Sequence, residues 1–339
     1  MKYLSVCSGI EAASVAWHPL GWSPFAFAEI EKFPSAVLAH HYPTTPNYGD
    51  MTKFKEWPDA TFDVLVGGTP CQSFSVAGLR KGLDDPRGNL ALTFLGIANR
   101  YRPEWIIWEN VPGVLSSDEG EAFGSILGGM AELGYHVAYR VLDAQYVRVD
   151  GLGRAVPQRR RRVFVVGNLR DWRRAAAVLF ESESLSWDTA PSREAGKGIA
   201  PTISSRPTGG GGLGTDFDCD GGLVASTGDI SHCLNGGGMG RQDYETETLV
   251  THTLKGGASG GSSRSYVAEH WAVRRLTPLE CERLQGFPDG YTDVPYRGKN
   301  WTPDGPRYKA LGNSMAVNCM RWLGRRIEMV SALCAETST

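Results

Sequence analysis

No stretch of the 339-residue chain approaches the roughly 18 consecutive apolar residues that a membrane span requires, so a soluble protein without membrane contact is expected. The six residues ahead of Cys7 leave no room for the charged and hydrophobic regions of a secretory signal, which points to the cytoplasm. The seven cysteines (7, 71, 219, 233, 281, 319 and 334) are odd in number and scattered, without a Cys-x-x-Cys or a histidine pair at ligand spacing. That pattern argues against a disulfide framework and signals no metal site; most of these thiols read as small buried hydrophobes. The net charge of −2 predicts no polyanion partner by itself. Where the first apolar run ends, "CSGIEA" lacks the glycine fingerprint of a nicotinamide dehydrogenase. Nothing asks for a second copy of the chain, and a monomer is the default.

The charge that is present is unevenly placed. Between Arg148 and Arg174 stand nine arginines against Asp150 and Asp171, a stripe that either lies solvated or meets a phosphate backbone. Short apolar runs alternate with helical patterns through the first half, which argues for a parallel sheet with crossover helices. "YLSV" (3–6), "FAFAE" (25–29), "DVLVGG" (63–68), "WIIWEN" (105–110), "HVAYRVL" (136–142) and "VFVVGN" (163–168) read as strands. Helical patterns cover Glu11–Trp17, Pro34–His41, Leu90–Tyr101 and Glu121–Leu133. Ligands of such sheets sit at the carboxyl ends of strands, and those ends here carry Gly9, Glu29, the Gly67–Cys71 turn and Glu109–Asn110.

The composition changes after about Arg170: eighteen of the 42 glycines fall between Gly196 and Gly261, in an imperfect repeat of β segment, glycine turn and β segment. A flexible linker is the plain alternative, but recurring Thr, Leu and Val favour small hairpins. The expected units are therefore 1–168, a smaller domain 169–272, and a segment 273–339 that returns to the first. In the last, "RRLTPLECERLQGFPDGY" places a helix after Thr277 with Glu280 as capping-box partner, and a final helix is expected over Ser314–Val330.

"GGTPCQSFSVAG" presents Cys71 at a strand-to-loop turn behind a proline, where a structural thiol would rather be buried. Glu109, flanked by Trp108 and Val111 at the end of the neighbouring strand, should have its proton affinity raised by desolvation. A thiol and a carboxylic acid facing one pocket suit a reaction at carbon 5 of cytosine. That carbon is too poor a nucleophile to take a methyl group until a thiolate adds to carbon 6, while a hydrogen bond at ring N3 steadies the charge that builds up. Methylating an exocyclic amine needs no cysteine, and the chain has no Asn/Asp-Pro-Pro-aromatic motif of the enzymes that do so.

With those residues in view, the chain resembles the cytosine-5 DNA methyltransferase family, in its bacterial and phage Dcm-like branch. "GGTPCQSFS", "ENVPG", "PQRRRRVFVVG", "RRLTPLECERLQGFPD" and "YKALGNSMAVN" match five family motifs in order, over residues 1–168 and 273–339. The resemblance implies a Rossmann-like S-adenosylmethionine-dependent methyltransferase sheet of the α/β class, with a glycine-rich, mainly β target-recognition domain inserted. It implies Cys71 as nucleophile and Glu109 as its acid, with Arg160 and Arg162 lining the base pocket and Arg162 orienting Glu109. For S-adenosyl-L-methionine it implies Ser8, Gly9 and Ile10 in the first turn, Glu29 on the ribose hydroxyls, Asp50 on the adenine amine, and Ile30 and Met51 against the ring faces. Pro70, Leu90, Asn313 and Ser314 complete that pocket.

Double-stranded DNA is the implied partner, its target cytosine swung out of the helix under a loop from Cys71 to Arg87. Gln72 and Ser75 are expected against the DNA and Arg87 on a phosphate. Arg206, Arg241, Lys255 and Arg264, at the glycine turns of the insert, are the candidate readers of base edges. An RNA cytosine-5 methyltransferase is the nearest rival, disfavoured by the long insert and by the absence of a Cys-Phe-Thr signature. A decayed, non-catalytic DNA-binding relative is disfavoured by the intact Cys71, Glu109 and Arg162. The chain departs from the family where Cys7 replaces an aromatic and Glu11–Ala12 replace two glycines.

Overall fold

The computed structural model describes residues 1–70, 90–149, 155–180, 231–232, 249–253 and 271–336. Its elements in chain order are β1 (Lys2–Val6), α1 (Ala12–Trp17), β2 (Ser23–Ala28), α2 (Lys32–His41), β3 (Val64–Gly67), α3 (Leu90–Tyr101), β4 (Trp105–Asn110), α4 (Glu121–Glu132), β5 (His136–Asp143), β6 (Gln158–Arg159) and β7 (Arg161–Asn168). There follow α5 (Trp172–Leu179), β8 (Ser231–His232), β9 (Leu249–Thr253), β10 (Trp271–Arg275), α6 (Pro278–Gln285), α7 (Asp304–Asn313) and α8 (Val317–Glu336).

Six strands form the central sheet, in the order β2-β1-β3-β4-β7-β5. Their apolar runs lack polar alternation because both faces are covered by helices. Residues of even and odd position therefore feed two separate cores. Val64, Ile107 and Phe164 face α1 and α8 together with Trp17 and Met320. Leu65, Ile106 and Val165 face the other way, with Phe94 and Leu95 of α3 and Ile126 of α4.

The sheet is not the all-parallel one expected. β2, β1, β3 and β4 run parallel, but β7 pairs antiparallel with both β4 and β5. Apolar content reports burial and carries no sign of strand direction, so "VFVVGN" reads the same either way. The reversal matters for function, because it puts the amino end of β7 beside the carboxyl ends of its neighbours: Asn110 lies opposite Val163, and Asp143 opposite Arg161.

Two boundaries also differ. α5, within the stretch assigned by composition to the second unit, packs its Val178 and Leu179 into the first core. Arg326 of α8 donates to the carbonyl of Ala177, and Arg174 pairs with Glu104 just ahead of β4. The polar composition of "DWRRAAAVL" describes the outer face of this helix and hides the inner one. At the other end, Ser314 has extended backbone (φ −76°, ψ 152°) and closes α7, so the last helix begins at Val317 and not at Ser314. The expected capping box is present: Glu280 N–H donates to Thr277 Oγ1 at 3.2 Å, and Thr277 N–H to Glu280 Oε2 at 2.7 Å. Outside the main sheet, β9 pairs antiparallel with β10 and β6 parallel with β8. No described helix is long and apolar enough to cross a membrane.

Candidate active site

Strand alternation decides which way Glu109 points. It shares a face with Ile107, and across the antiparallel pair it sits opposite Phe164. Arg162, two residues before Phe164, is then its diagonal neighbour on the same face, within reach of a long side chain. The two meet: Arg162 Nε lies 3.1 Å from Glu109 Oε1, both side chains being largely buried. Burial pushes the Glu109 carboxyl above the usual carboxylate range, and Arg162 and then Arg160 oppose that shift. The result is an acid sheltered from water yet held in orientation by a cation.

The end of β3 is built around this carboxylate. A Cβ on Gly68 would lie 2.8 Å from Glu109 Oε2 and 3.3 Å from Met315 Cε, so a larger residue there would have to push the Glu109 carboxylate aside. The next residue is fixed from β4: Asn110 Nδ2 donates to the Thr69 carbonyl at 2.9 Å, and Trp108 Nε1 to Thr69 Oγ1 at 2.9 Å. Pro70 follows, exposed, as the last described residue before Cys71. Replacing Gly68 by alanine should leave the fold intact, since the strands below it are untouched. The new methyl must displace Glu109 from Arg162, and turnover is expected to fall by about 10²-fold with little change in melting temperature, as kinetics and a thermal scan would show.

Arg160 does not line an open pocket. It is 1% exposed, and its Nη2 donates to the carbonyls of Gly312, at 3.0 Å, and of Ser314. Its backbone is locked as well, its N–H on Asp143 Oδ1 at 3.0 Å and its carbonyl accepting from Ala144 N–H at 2.9 Å. It therefore positions the α7–α8 turn, which carries Asn313, Ser314 and Met315. Met315, which the sequence reading passed over, lies beside Gly68 and could have been found from its place inside "GNSMAVN".

The expected cofactor residues gather at the carboxyl ends of β1 and β2. Gly9 takes a left-handed backbone (φ +56°) and donates its N–H to Glu29 Oε2 at 2.7 Å, while Glu31 N–H donates to Oε1 at 2.7 Å. Ser8 bridges the two strands, its Oγ donating to the Ser5 carbonyl at 2.9 Å and accepting from Ala28 N–H at 3.2 Å. Beside Glu29, Ile30 is a large apolar side chain left 71% exposed. Asp50 uses Oδ1 to accept from Thr52 N–H at 2.9 Å, and its Oδ2 has no partner among the described residues. A carboxylate for hydroxyls, an open acceptor for an amine and an uncovered apolar face fit a ribonucleoside.

Burial limits what the other expected residues present to a ligand. Ile10 is wholly buried and reaches the turn only through its backbone, its carbonyl accepting from Tyr291 OH at 2.9 Å. Met51 is buried too, its sulfur 3.4 Å from the thiol of Cys7, so only Ile30 of the expected pair offers a face to a ring. Asn313 is exposed at the end of α7, and Ser314 is buried with its carbonyl on Arg160. Leu90 opens α3, partly buried against the second core. Cys71, Gln72, Ser75, Arg87, Arg206, Arg241, Lys255 and Arg264 lie outside the described residues. Among the described residues no cluster of His, Cys, Asp and Glu could hold a metal ion.

A sequence profile of the family described as C-5 cytosine-specific DNA methylase matches residues 1–329. The chain is 36% identical over 474 aligned residues to a protein of Escherichia phage P1 named DNA N-6-adenine-methyltransferase, covering 98% of this chain. It spans only 62% of that relative's length. It is 28% identical over 341 residues to the type II methyltransferase M.HpaII of Haemophilus parainfluenzae, covering 96% of this chain and 88% of that one. Its fold is similar to that of the crystal structure of S. pombe Dnmt2 methyltransferase, with a TM-score of 0.62 at 16% identity over 97% of this chain and 99% of the other. A crystal structure of a putative DNA modification methyltransferase encoded within an E. coli prophage gives a TM-score of 0.55 at 17% identity over 98% and 99%.

Proposed function

Because the chain belongs to the C-5 cytosine-specific DNA methylase family, we propose that it methylates carbon 5 of cytosine in double-stranded DNA. The observation that carries this reading is the Glu109–Arg162 pair, buried against Gly68 three residues before the only thiol in that turn. S-adenosylmethionine, when bound, supplies an electrophilic methyl group on a sulfonium. Glu29 would hold its ribose hydroxyls, Asp50 its adenine amine and Ile30 one ring face, with Gly9 shaping the turn beneath.

The chain's own residues account for the rest. Carbon 6 of a stacked cytosine is out of reach, so the base is extruded into the pocket at a cost of a few kcal/mol. The Cys71 thiolate adds to carbon 6, and the ring electrons move toward carbon 5 and N3. Glu109, whose proton affinity burial raises, donates to N3 and stabilises that charge, while Arg162 fixes its orientation and approaches the cytosine O2. Carbon 5 takes the methyl group; loss of its proton and expulsion of the Cys71 thiolate then restore the aromatic ring. Arg160 serves by holding the α7–α8 turn in place. The arginines around it, with Arg87, position the phosphate backbone. Arg206, Arg241, Lys255 and Arg264 read base edges from the insert, and the enzyme works as a monomer in the cytoplasm.

The name of the phage P1 relative specifies the N6 amine of adenine, which is a second reading for this chain. It is disfavoured because an amine attacks the donor without help from a thiol, and because the chain contains no Pro-Pro pair on which the amine-methylating motif is built. Nucleoside analysis of duplex DNA incubated with the protein and labelled donor separates the two. Label in 5-methylcytosine is expected; label confined to N6-methyladenine would overturn the proposal, and label in transfer RNA alone would move the substrate to RNA.

A further inference from the structure

The first turn holds a residue that its backbone does not favour. Glu11 has φ +65° and ψ 60°, a left-handed conformation that residues with a Cβ disfavour. It is 1% exposed. What keeps it there is a set of donors aimed at its carboxylate: Ser5 Oγ at 2.6 Å on Oε1, and Ser14 N–H at 3.1 Å together with Ser14 Oγ on Oε2. Tyr3 OH stands behind, 2.6 Å from Ser14 Oγ.

Every one of those partners is neutral. No lysine, arginine or histidine among the described residues pairs with Glu11, and burial pushes its carboxyl up to about 7. Tyr3 on β1, Tyr42 at the end of α2 and Tyr291 in the C-terminal segment also face it. Burial holds all three phenols above their ordinary range, Tyr42 at about 12. His41, bonded to the Tyr291 carbonyl at 2.8 Å, is held below its ordinary value by burial. Glu11 is thus a buried carboxyl poised to ionise, with no counter-ion among the described residues, two residues from Gly9, whose N–H is held by Glu29.

The reading of this site as a methyltransferase supplies the missing cation. The methyl donor carries a positive sulfonium; the product, S-adenosylhomocysteine, has a neutral thioether at the same place. We propose that Glu11 is an electrostatic positioning residue: its ionised carboxylate favours the cationic donor over the neutral product, and donor binding is coupled to release of the Glu11 proton. This rests on the function proposed above. The sign follows from the coupling. A nearby cation stabilises the ionised form, so donor binding strengthens as the pH rises past neutrality and releases a proton near it, while product binding is indifferent.

Calorimetry of the full chain with donor and with product, at about pH 6 and about pH 8 and in two buffers of different ionisation enthalpy, tests this. The wild type should bind donor about tenfold more tightly at the higher pH and release a fraction of a proton at neutrality, with product affinity unchanged. Glu11→Gln should abolish both effects. Ser5→Ala, which removes one donor from Oε1 and leaves the charge, should keep the pH dependence and move its midpoint upward, and it serves if Glu11→Gln does not fold. A pH dependence surviving in Glu11→Gln, a midpoint unmoved in Ser5→Ala, or equal responses to donor and product would overturn this proposal alone. A wild type that binds neither ligand at any pH would overturn the proposal together with the reading beneath it.

Discussion

Cys71→Ser is expected to reduce methyl transfer to background while leaving donor binding unchanged. The serine hydroxyl is far less acidic than a thiol, so almost no oxyanion is present to add to carbon 6, and carbon 5 stays unreactive. The measurement is bisulfite sequencing of DNA from cells expressing each form, with donor affinity by calorimetry as the control. A substrate carrying 5-fluorocytosine sharpens the test: with no proton to lose from carbon 5, the wild type should remain covalently attached to the DNA, and the serine variant should not. Undiminished methylation by Cys71→Ser would sink the mechanism. The other cysteines cannot substitute for it among the described residues, since burial pushes the Cys7 and Cys281 thiols up to about 12 and Cys319 higher still.

Glu109→Gln should cost roughly 10²–10⁴-fold in turnover, the usual range for removal of a general acid, with donor affinity and melting temperature close to the wild type. The amide keeps the volume and one donor, but it cannot give up a proton as charge builds on N3, and it loses its ion pair with Arg162. The pH profile gives the second readout. Burial, the largest influence on Glu109, raises its proton affinity, so the active protonated form persists above the ordinary carboxylate range and disappears as pH rises through its folded value. The wild-type rate should therefore decline on that alkaline side. In Glu109→Gln that limb should be missing, leaving a low rate flat over the same interval. A full-rate glutamine variant would remove Glu109 from the chemistry.

Much of this architecture is legible in the sequence because burial on two faces leaves unbroken apolar runs. All six central strands were locatable, and α3 begins and ends at the residues its periodicity indicates, Leu90 and Tyr101. What periodicity omits is direction: the reversal of β7, which aligns Arg162 with Glu109, follows from a connection that hydropathy does not encode. α7 is hard to read because Gly305 and Pro306 stand near the start of "DGPRYKALGN", punctuation that suggests a turn, although Pro306 lies in the first turn of the helix, where no N–H is needed. The side chains were harder than the elements. The motif places Arg160 and Arg162 two residues apart on one face, yet Arg160 turns to backbone carbonyls and Arg162 to a carboxylate. Met51 and Ile30 look equally apolar in sequence, and only packing separates the one enclosed with Cys7 from the one left uncovered.

The joining of α1 to α8 has a consequence for how the molecule is made. Trp17 Nε1 donates to the Met320 carbonyl at 2.7 Å, Trp22 Nε1 to Glu328 at 2.8 Å, and a Cβ on Gly324 would strike Trp17 at 2.6 Å. These partners are separated by about 300 residues of chain. During synthesis the helix that seals one face of the sheet therefore emerges long after the strands it covers, and the nascent polypeptide carries exposed tryptophans until then. Released chains truncated before residue 317 should be captured by folding helpers, and the released full-length chain should let go.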